Sequence, residues 1–184
     1  MAGILIIPIV AEEVERDVIT AVANYVGGFY SKFGLKVTIL PKIDIRRFSA
    51  GYNEIRGQFL GRAFLPVLTA IRNELRAKAI LGITDVDLYE EGLNFIFGLA
   101  SLYLRAAVIS LHRLRPGFYG ERNGRLLKDR AIKEAMHELG HVFGLDHCPN
   151  PRCVMHFSNS ILDTDFKGRD YCDNCLKKLE EVFK

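Results

Sequence analysis

The sequence predicts an α/β (α+β) protein in which a twisted, mixed sheet of five strands carries three main helices. Short apolar segments of strand length alternate with longer segments of helical spacing up to residue 144, the order expected when helices cover a sheet. The chain has 184 residues, 49% of them hydrophobic, which suits one well-buried domain and is short for two. Because no repeat, linker or low-complexity stretch interrupts it, we expect a single domain over residues 1–184.

The predicted elements of the first half alternate between strand and helix. Residues 3–10 form an apolar run typical of a buried strand, and residues 12–33 have the spacing of a long helix. Residues 35–40 form the second predicted strand. Residues 53–78 are expected to form a loop that leads into a helix, which is interrupted or begins near Pro66.

The second half adds three strands and the helix that carries the chemistry. Residues 79–85 and 106–113 are apolar runs predicted to be buried strands, and residues 94–99 form a further predicted strand. A helix is expected from about residue 126 to residue 144. This order of elements predicts a twisted mixed sheet with helices packed on it.

The segment from His137 to His147 has the spacing of a catalytic zinc site. His137 and His141 are four residues apart, so on one helix they differ by about 40° around the axis and about 6 Å along it. Both rings can therefore reach one metal ion. Glu138 lies about 100° round from His137, beside such a metal rather than on it.

The third histidine, His147, requires the helix to end before it. An unbroken helix would carry His147 about 9 Å beyond His141 and to another side, which Zn–N bonds of about 2.0–2.1 Å do not span. Gly144 supplies the turn, because glycine readily takes the left-handed conformation that ends a helix. We therefore predict His137, His141 and His147 as ligands of a catalytic zinc with a fourth position open to water.

The pentapeptide HExxH alone also occurs by chance in helices where it is only a polar face. Gly144 and His147 at fitting offsets make that alternative rare. Zinc held by neutral imidazoles lowers the pKa of its bound water towards about 7. Glu138 is therefore predicted to be the general base that accepts a proton from this water.

The cysteines form a second group. They lie near the carboxyl end in two pairs, with four and two residues between partners: Cys148 and Cys153, then Cys172 and Cys175. This layout is typical of a structural zinc site, with two disulfides as the alternative. The amino terminus has no basic region before its short apolar run, so we expect a reducing, cytoplasmic location in which thiols stay free. We therefore predict two zinc ions per chain, one catalytic and one structural.

The extended histidine motif resembles that of the metzincins, zinc metallopeptidases named for a methionine turn beneath the metal. Met155, eight residues after His147, fits as that methionine, with an ordinary core methionine as the alternative. The resemblance is closest to the archaemetzincins, whose four cysteines surround and follow this turn, as they do here. Residues 94–100 and 157–165 also resemble family segments, so the resemblance covers nearly the whole chain.

Several expectations come from this resemblance. It implies a metzincin-like zincin fold, with an upper subdomain over residues 1–144 and a smaller, irregular lower one over 145–184. Residues 94–100 would form the antiparallel edge strand above the cleft; an interior strand is the alternative. The family also implies a peptidase, with aminopeptidase action on short or unfolded peptides. Phe157 stands where some metzincins have a tyrosine near the zinc, so it offers no phenol to an oxyanion.

Composition narrows the partners. The formal net charge of +3 is not diagnostic, and the basic residues between 113 and 130 indicate a solvated loop, with an anionic ligand or nucleic acid as the alternative. No apolar run reaches the roughly 18 residues of a membrane helix. We expect a peptide substrate, no membrane or nucleic-acid partner, and a monomer. Two other functions stay open: hydrolysis of a non-peptide amide, and a zinc-stabilised peptide- or nucleic-acid-binding protein whose histidine site is gated or not catalytic.

Overall fold

The computed structural model describes residues 3–10 and 15–184 of the chain. In chain order its strands and α-helices are β1 (Gly3–Val10), α1 (Arg16–Tyr30), β2 (Lys36–Ile39), β3 (Ile43–Asp44), β4 (Tyr52–Asn53), β5 (Gln58–Leu60), α2 (Phe64–Glu74), β6 (Ala79–Thr84), β7 (Leu88–Tyr89), β8 (Gly98–Ser101), β9 (Ala106–Ser110), α3 (Arg125–Val142), α4 (Ile161–Phe166) and α5 (Asp173–Val182).

The main sheet has the strand order β2-β1-β6-β9-β8. The first four strands are parallel, and β8 pairs antiparallel with β9 at the end of the sheet, with Gly98 opposite Ile109. The two-residue strand β3 continues the pairing of β1 beyond the end of β2. The predicted α/β class with a mixed sheet of five principal strands is confirmed, and β8 is an edge strand rather than an interior one.

Helices cover both faces of this sheet. Along β1, Ile4 and Ile6 point into the core shared with α1 and α3, whereas Leu5 and Ile7 point into the core shared with α2. Both faces of the strand are therefore buried, which explains why β1 is an unbroken apolar run instead of an alternating one.

Several boundaries differ from the predictions. The helix predicted at 12–33 is described from Arg16 and ends at Tyr30 in a short 3-10 turn, while residues 12–14 lie outside the described part of the chain. The strand predicted at 94–99 begins only at Gly98, because the Ile96 backbone N–H turns away to bond Leu88 O of a neighbouring strand. The last predicted strand ends at Ser110.

Other elements were not predicted. A small sheet of order β4-β5-β7 has strands of two or three residues, too short to show a period. The carboxyl-terminal segment, expected to be irregular, contains α4 and α5. Helix α5 has only ten residues, and its apolar face, which buries Cys175 and Leu179, was not recognised in the sequence. Pro66 is the third residue of α2, where its missing N–H leaves no helical bond unmade.

Helix α3 is the central element of the molecule. One side packs on the sheet and on α1, while residues 145–184 cover the other. Arg130 on α3 is fully buried and donates two hydrogen bonds of 2.7 Å to the Asp165 carboxylate of α4. The histidine-bearing side of α3 therefore faces this carboxyl-terminal segment. Over residues 3–10 and 15–184, none of the helices combines the length and the apolar character that crossing a membrane requires.

Candidate metal centre and active-site cleft

The three predicted zinc ligands converge at one point. His137 and His141 project from successive turns of α3, and their Nε2 atoms lie 3.1 Å apart. The His147 ring lies with its centroid 5.3 Å from that of His137 and 4.8 Å from that of His141. One ligand nitrogen from each ring falls within 4.8 Å of the others.

The turn after α3 brings His147 back to the other two rings. Gly144 has a φ of 95°, in the left-handed region that side chains avoid. Leu145 N–H then bonds Gly140 O at 2.9 Å, and Leu145 O accepts from His141 Nδ1 at 2.7 Å. The turn that returns His147 therefore also orients His141.

Backbone carbonyls settle which ring nitrogens carry protons. His137 Nδ1 lies 2.8 Å from Val154 O, and His141 Nδ1 is bonded to Leu145 O in the same way. A carbonyl only accepts, so both Nδ1 atoms are protonated and both Nε2 atoms keep their lone pairs. Two nitrogens on one tetrahedral zinc lie about 3.3 Å apart when each Zn–N bond is about 2.05 Å. The observed 3.1 Å therefore fits a shared zinc ion.

Burial keeps these histidines neutral. Burial, reinforced by the charge of Lys167, lowers the pKa of His137 well below its usual value. Burial also lowers the pKa of His141 and of His147. Neutral imidazole is the form that binds a metal ion, so the site needs no deprotonation at ordinary pH.

Glu138 lies beside the histidines at the base of a cleft of about 620 Å³. It is 5% exposed, and burial, followed by repulsion from Glu134, raises its pKa well above the usual value. A carboxylate of raised pKa is a stronger base than a solvated one, which suits proton transfer. The backbone of β8 passes so close that a Cβ on Gly98 would lie 2.6 Å from Glu138 Oε1.

Substituting Gly98 by alanine tests this close approach. The added methyl must displace the Glu138 carboxylate or β8, and a misplacement of about 1 Å can cost about 100-fold in rate. We expect Gly98→Ala to lower kcat/KM by about one to two orders of magnitude. The zinc content should not change. Gly28→Ala adds the same methyl group to a glycine of α1 with open space around the added carbon, and it is the matched control. Wild-type kinetics in Gly98→Ala would show that the position of Glu138 does not depend on this glycine.

A buried ion pair lies below the cleft. Lys167 Nζ contacts Glu134 Oε1 at 3.0 Å, with side-chain exposures of 0% and 3%. Thr164 Oγ1 donates to the same carboxylate oxygen at 3.3 Å. Glu134 is one turn before Glu138, so the pair ties the segment after α4 to the histidine face of α3.

Removing one partner of this pair should destabilise the protein. Lys167→Met leaves the Glu134 carboxylate buried without its cation, which typically costs about 3–5 kcal/mol. The measurement is the free energy of unfolding in denaturant at pH 7. The double variant Glu134→Gln, Lys167→Met removes both charges and should recover most of the loss. Equal stability of Lys167→Met and the wild type would contradict this role.

Met155 packs beneath the histidines. It is fully buried, and its sulfur lies where a side chain on Gly140 would have to be, between the two ligand histidines of α3. Its neighbour Val154 supplies the carbonyl that orients His137. Met155 thus lies beside Gly140 of the HELGH segment, and that glycine makes room for its sulfur.

The four cysteines form one cluster next to the histidines. None is in a disulfide, and all four sulfurs lie within 4.8 Å of one another. The Sγ atoms of Cys148 and Cys172 are 3.7 Å apart, close to the roughly 3.8 Å expected for two thiolates on a zinc with Zn–S bonds of about 2.3 Å. Burial opposes ionisation of Cys172, but hydrogen bonds led by the Cys175 backbone N–H lower its pKa to about 7. The group fits a single four-cysteine metal site better than two disulfides.

Phe157 lies against the third histidine. Its ring centroid is 4.9 Å from that of His147, and the side chain is 47% exposed in the cleft wall. Phe157 therefore lies next to the three histidines, where its side chain offers an apolar surface and no hydrogen-bond donor.

The basic residues between 113 and 130 do not form a free cationic patch. Most of them are paired with carboxylates: Arg113 with Asp87, Arg115 with Glu15, Lys128 with Asp17, and Arg130 with Asp165 and Glu121. Positive charge in this region is therefore partly neutralised within the protein.

The chain is similar to known proteins over nearly its whole length. The model of peptidase family M54 matches residues 1–181 of the chain. The archaemetzincin of Pyrococcus furiosus is 58% identical over 179 residues, which cover 97% of this chain and 92% of that protein.

Two solved structures share the fold. The archaemetzincin from Methanopyrus kandleri aligns with a TM-score of 0.81 and 33% identity, covering 98% of this chain and 95% of that one. The archaemetzincin from Archaeoglobus fulgidus, determined as a complex with malonate, gives a TM-score of 0.78 and 36% identity, covering 96% and 99% of the two chains.

Proposed function

This chain belongs to the archaemetzincins, peptidase family M54, and from that membership we propose how its residues hydrolyse peptide bonds. The protein is a zinc metallopeptidase. His137, His141 and His147 hold the catalytic zinc, and Glu138 is the general base. The observation that carries this assignment is the convergence of the histidine nitrogens beside a buried carboxylate in one cleft.

Each residue has one task in this proposal. His137, His141 and His147 would hold the zinc, which would supply Lewis-acid chemistry for the scissile carbonyl and for the attacking water. Glu138 accepts the proton of the attacking water and delivers it to the leaving amine, since its carboxylate sits in the cleft with a raised pKa. The carbonyl of Val154 holds the His137 ring in place, and Met155 packs against Gly140 between the two histidines of α3.

The substrate lies along β8 in this proposal. Strand β8 pairs with β9 on one side, and within the described chain no strand pairs with its other edge. Residues of β8 line the same cleft as Glu138. An extended peptide can add to such an edge by main-chain hydrogen bonds. A peptide bound in this way would pass beside the three histidines.

We further propose that a second zinc ion, held by the four cysteines, is structural. A site closed by four thiolates leaves no position for water or substrate. Cys148 directly follows His147, and its N–H bonds Met155 O at 2.9 Å. The second metal would thus secure the chain on both sides of the turn beneath the catalytic group.

Aminopeptidase action on short or unfolded peptides is the finer part of the proposal, and the family resemblance supports it. The test is digestion of a diverse peptide mixture by zinc-loaded protein, with half of the peptides acetylated at the amino end and products read by mass spectrometry. Loss of single amino-terminal residues from free peptides alone would support aminopeptidase action. Internal cleavage of both halves would make the enzyme an endopeptidase, and no cleavage of either would count against peptide turnover.

A further inference from the structure

A second cleft, of about 680 Å³, lies where the parallel strands begin. Lys78 and Arg105 directly precede β6 and β9, and the last turns of α2 and α5 form its other sides. It shares no lining residue with the histidine cleft. It is therefore a separate candidate site.

The charged side chains that line this cleft all carry positive charge. Its cationic residues are Arg72, Arg76, Lys78, Arg105 and Lys184. Across the described parts of the chain, no aspartate or glutamate lines the cleft and none of the five cations is in an ion pair. This contrasts with the basic residues between 113 and 130, most of which have a carboxylate partner. The cleft thus concentrates positive charge that the protein does not neutralise.

One guanidinium in the cleft has a donor left over. Arg72 Nη1 bonds Ala77 O at 3.2 Å, and its Nη2 bonds the side chain of Asn73. Its Nε is buried and has no hydrogen-bond partner. A buried donor without an acceptor is unfavourable. The bonds to Ala77 and Asn73 hold this guanidinium at the wall of the cleft.

Two other arginines adopt a backbone conformation that favours glycine. Arg76 and Arg105 each have a φ of 51°, and within the described residues they are the only non-glycine positions of positive φ. Arg76 follows α2 where Ala77 N–H bonds Arg72 O, a helix ending that usually has glycine at this place. Both arginines line the cleft. Glycine would relieve the backbone strain at both positions, yet each of them carries a guanidinium group.

Helix ends explain part of this charge but not all of it. Arg105 Nη1 donates to Val142 O at 2.9 Å, at the carboxyl end of α3, where a cation is favourable. That bond uses one of the five donors of Arg105. It leaves unexplained the free Nε of Arg72 and the choice of arginine at position 76.

We propose that this cleft binds the phosphate or diphosphate group of a small molecule. A phosphate group offers several oxygens and two negative charges, which match clustered guanidinium groups better than a single carboxylate does. The volume is in the range of small-molecule sites, which measure about 300–1,000 Å³. Arg72, Arg76 and Arg105 are the residues that contact the anion, and Lys78 adds charge.

The test is a titration of the zinc-loaded protein with inorganic phosphate and with pyrophosphate, followed by amide NMR. We expect saturable shifts at residues 72–78 and 105, with a Kd for pyrophosphate near or below about 1 mM. Arg76→Gly, Arg105→Gly removes both guanidinium groups and keeps a residue that tolerates positive φ, so the fold should persist. Binding should then weaken at least about tenfold.

Two controls separate the cleft from other sites. Arg47→Ala removes an exposed arginine outside the cleft and should leave the Kd unchanged. Glu138→Gln changes the histidine cleft and should also leave it unchanged. Shifts confined to residues around His147, an unchanged Kd in the double glycine variant, or no saturation with either anion would overturn the proposal.

Discussion

Glu138→Gln should lower kcat/KM for peptide hydrolysis by about 10²- to 10⁴-fold, the range that positioned general bases contribute. The amide keeps the shape of the side chain against Gly98 but accepts no proton. Glu138 is not one of the three proposed zinc ligands, so the zinc content should not change. The measurement is steady-state cleavage of one peptide found in the digestion mixture, at equal protein and zinc concentration.

A shorter carboxylate provides the comparison. Glu138→Asp keeps the chemistry and withdraws the oxygens by one methylene, so it should retain more activity than Glu138→Gln. If Glu138→Gln hydrolysed the peptide as fast as the wild type, another group would have to be the base. If it lost its zinc, the fall in rate would say nothing about proton transfer.

Removing two thiols of the cysteine group should have a still larger structural effect. Zinc in four-ligand structural sites binds with an apparent free energy of about 10–16 kcal/mol in small zinc-finger peptides, and in such proteins this is folding free energy. In Cys172→Ser, Cys175→Ser we expect a fall in Tm, loss of one zinc per chain and rapid amide exchange over residues 145–184. Zinc at the histidine group should also fall, since Cys148 directly follows His147.

The matched control changes two exposed residues of the same helix. Lys177 and Lys178 lie on the outer side of α5, so Lys177→Ser, Lys178→Ser costs only helix propensity, about 1 kcal/mol or less in total. Undiminished zinc at the histidines in the cysteine variant would show that the two metal groups are independent.

The histidine group could be predicted from sequence because its geometry is local. His137 and His141 share a helix, Gly144 ends it, and His147 returns within three residues. The cysteine pairs are similarly close in sequence, and the resemblance pointed to Met155. The structure brings the three histidines together in one group and the four cysteines in another.

The rest of the site depends on contacts between distant segments. Gly98 approaches Glu138 from a strand 40 residues earlier, and Lys167 reaches Glu134 from 33 residues later. A glycine and a lysine carry no spacing signal of their own, so neither residue was selected from the sequence. The carbonyl of Val154 is backbone and is invisible to residue-type patterns.

The fold shows the same division. The buried strands β1, β6 and β9 were predicted because both of their faces are apolar, which leaves continuous runs. Strand β8 begins four residues later than predicted, because the preceding segment turns to pair with β7 through Ile96 and Leu88. Helix α4 is tied to α3 by the ion pair of Arg130 with Asp165, and α5 packs Leu179 into the core beside the cysteine cluster.

The most direct test of the proposed metal chemistry is anomalous diffraction at the zinc edge from crystals of zinc-loaded protein. The proposal predicts two peaks per chain: one at about 2.0–2.1 Å from a nitrogen of each of His137, His141 and His147, and one at about 2.3 Å from the four cysteine sulfurs. A histidine group without a peak in zinc-loaded crystals, beside an occupied cysteine group, would contradict the assignment of the catalytic centre.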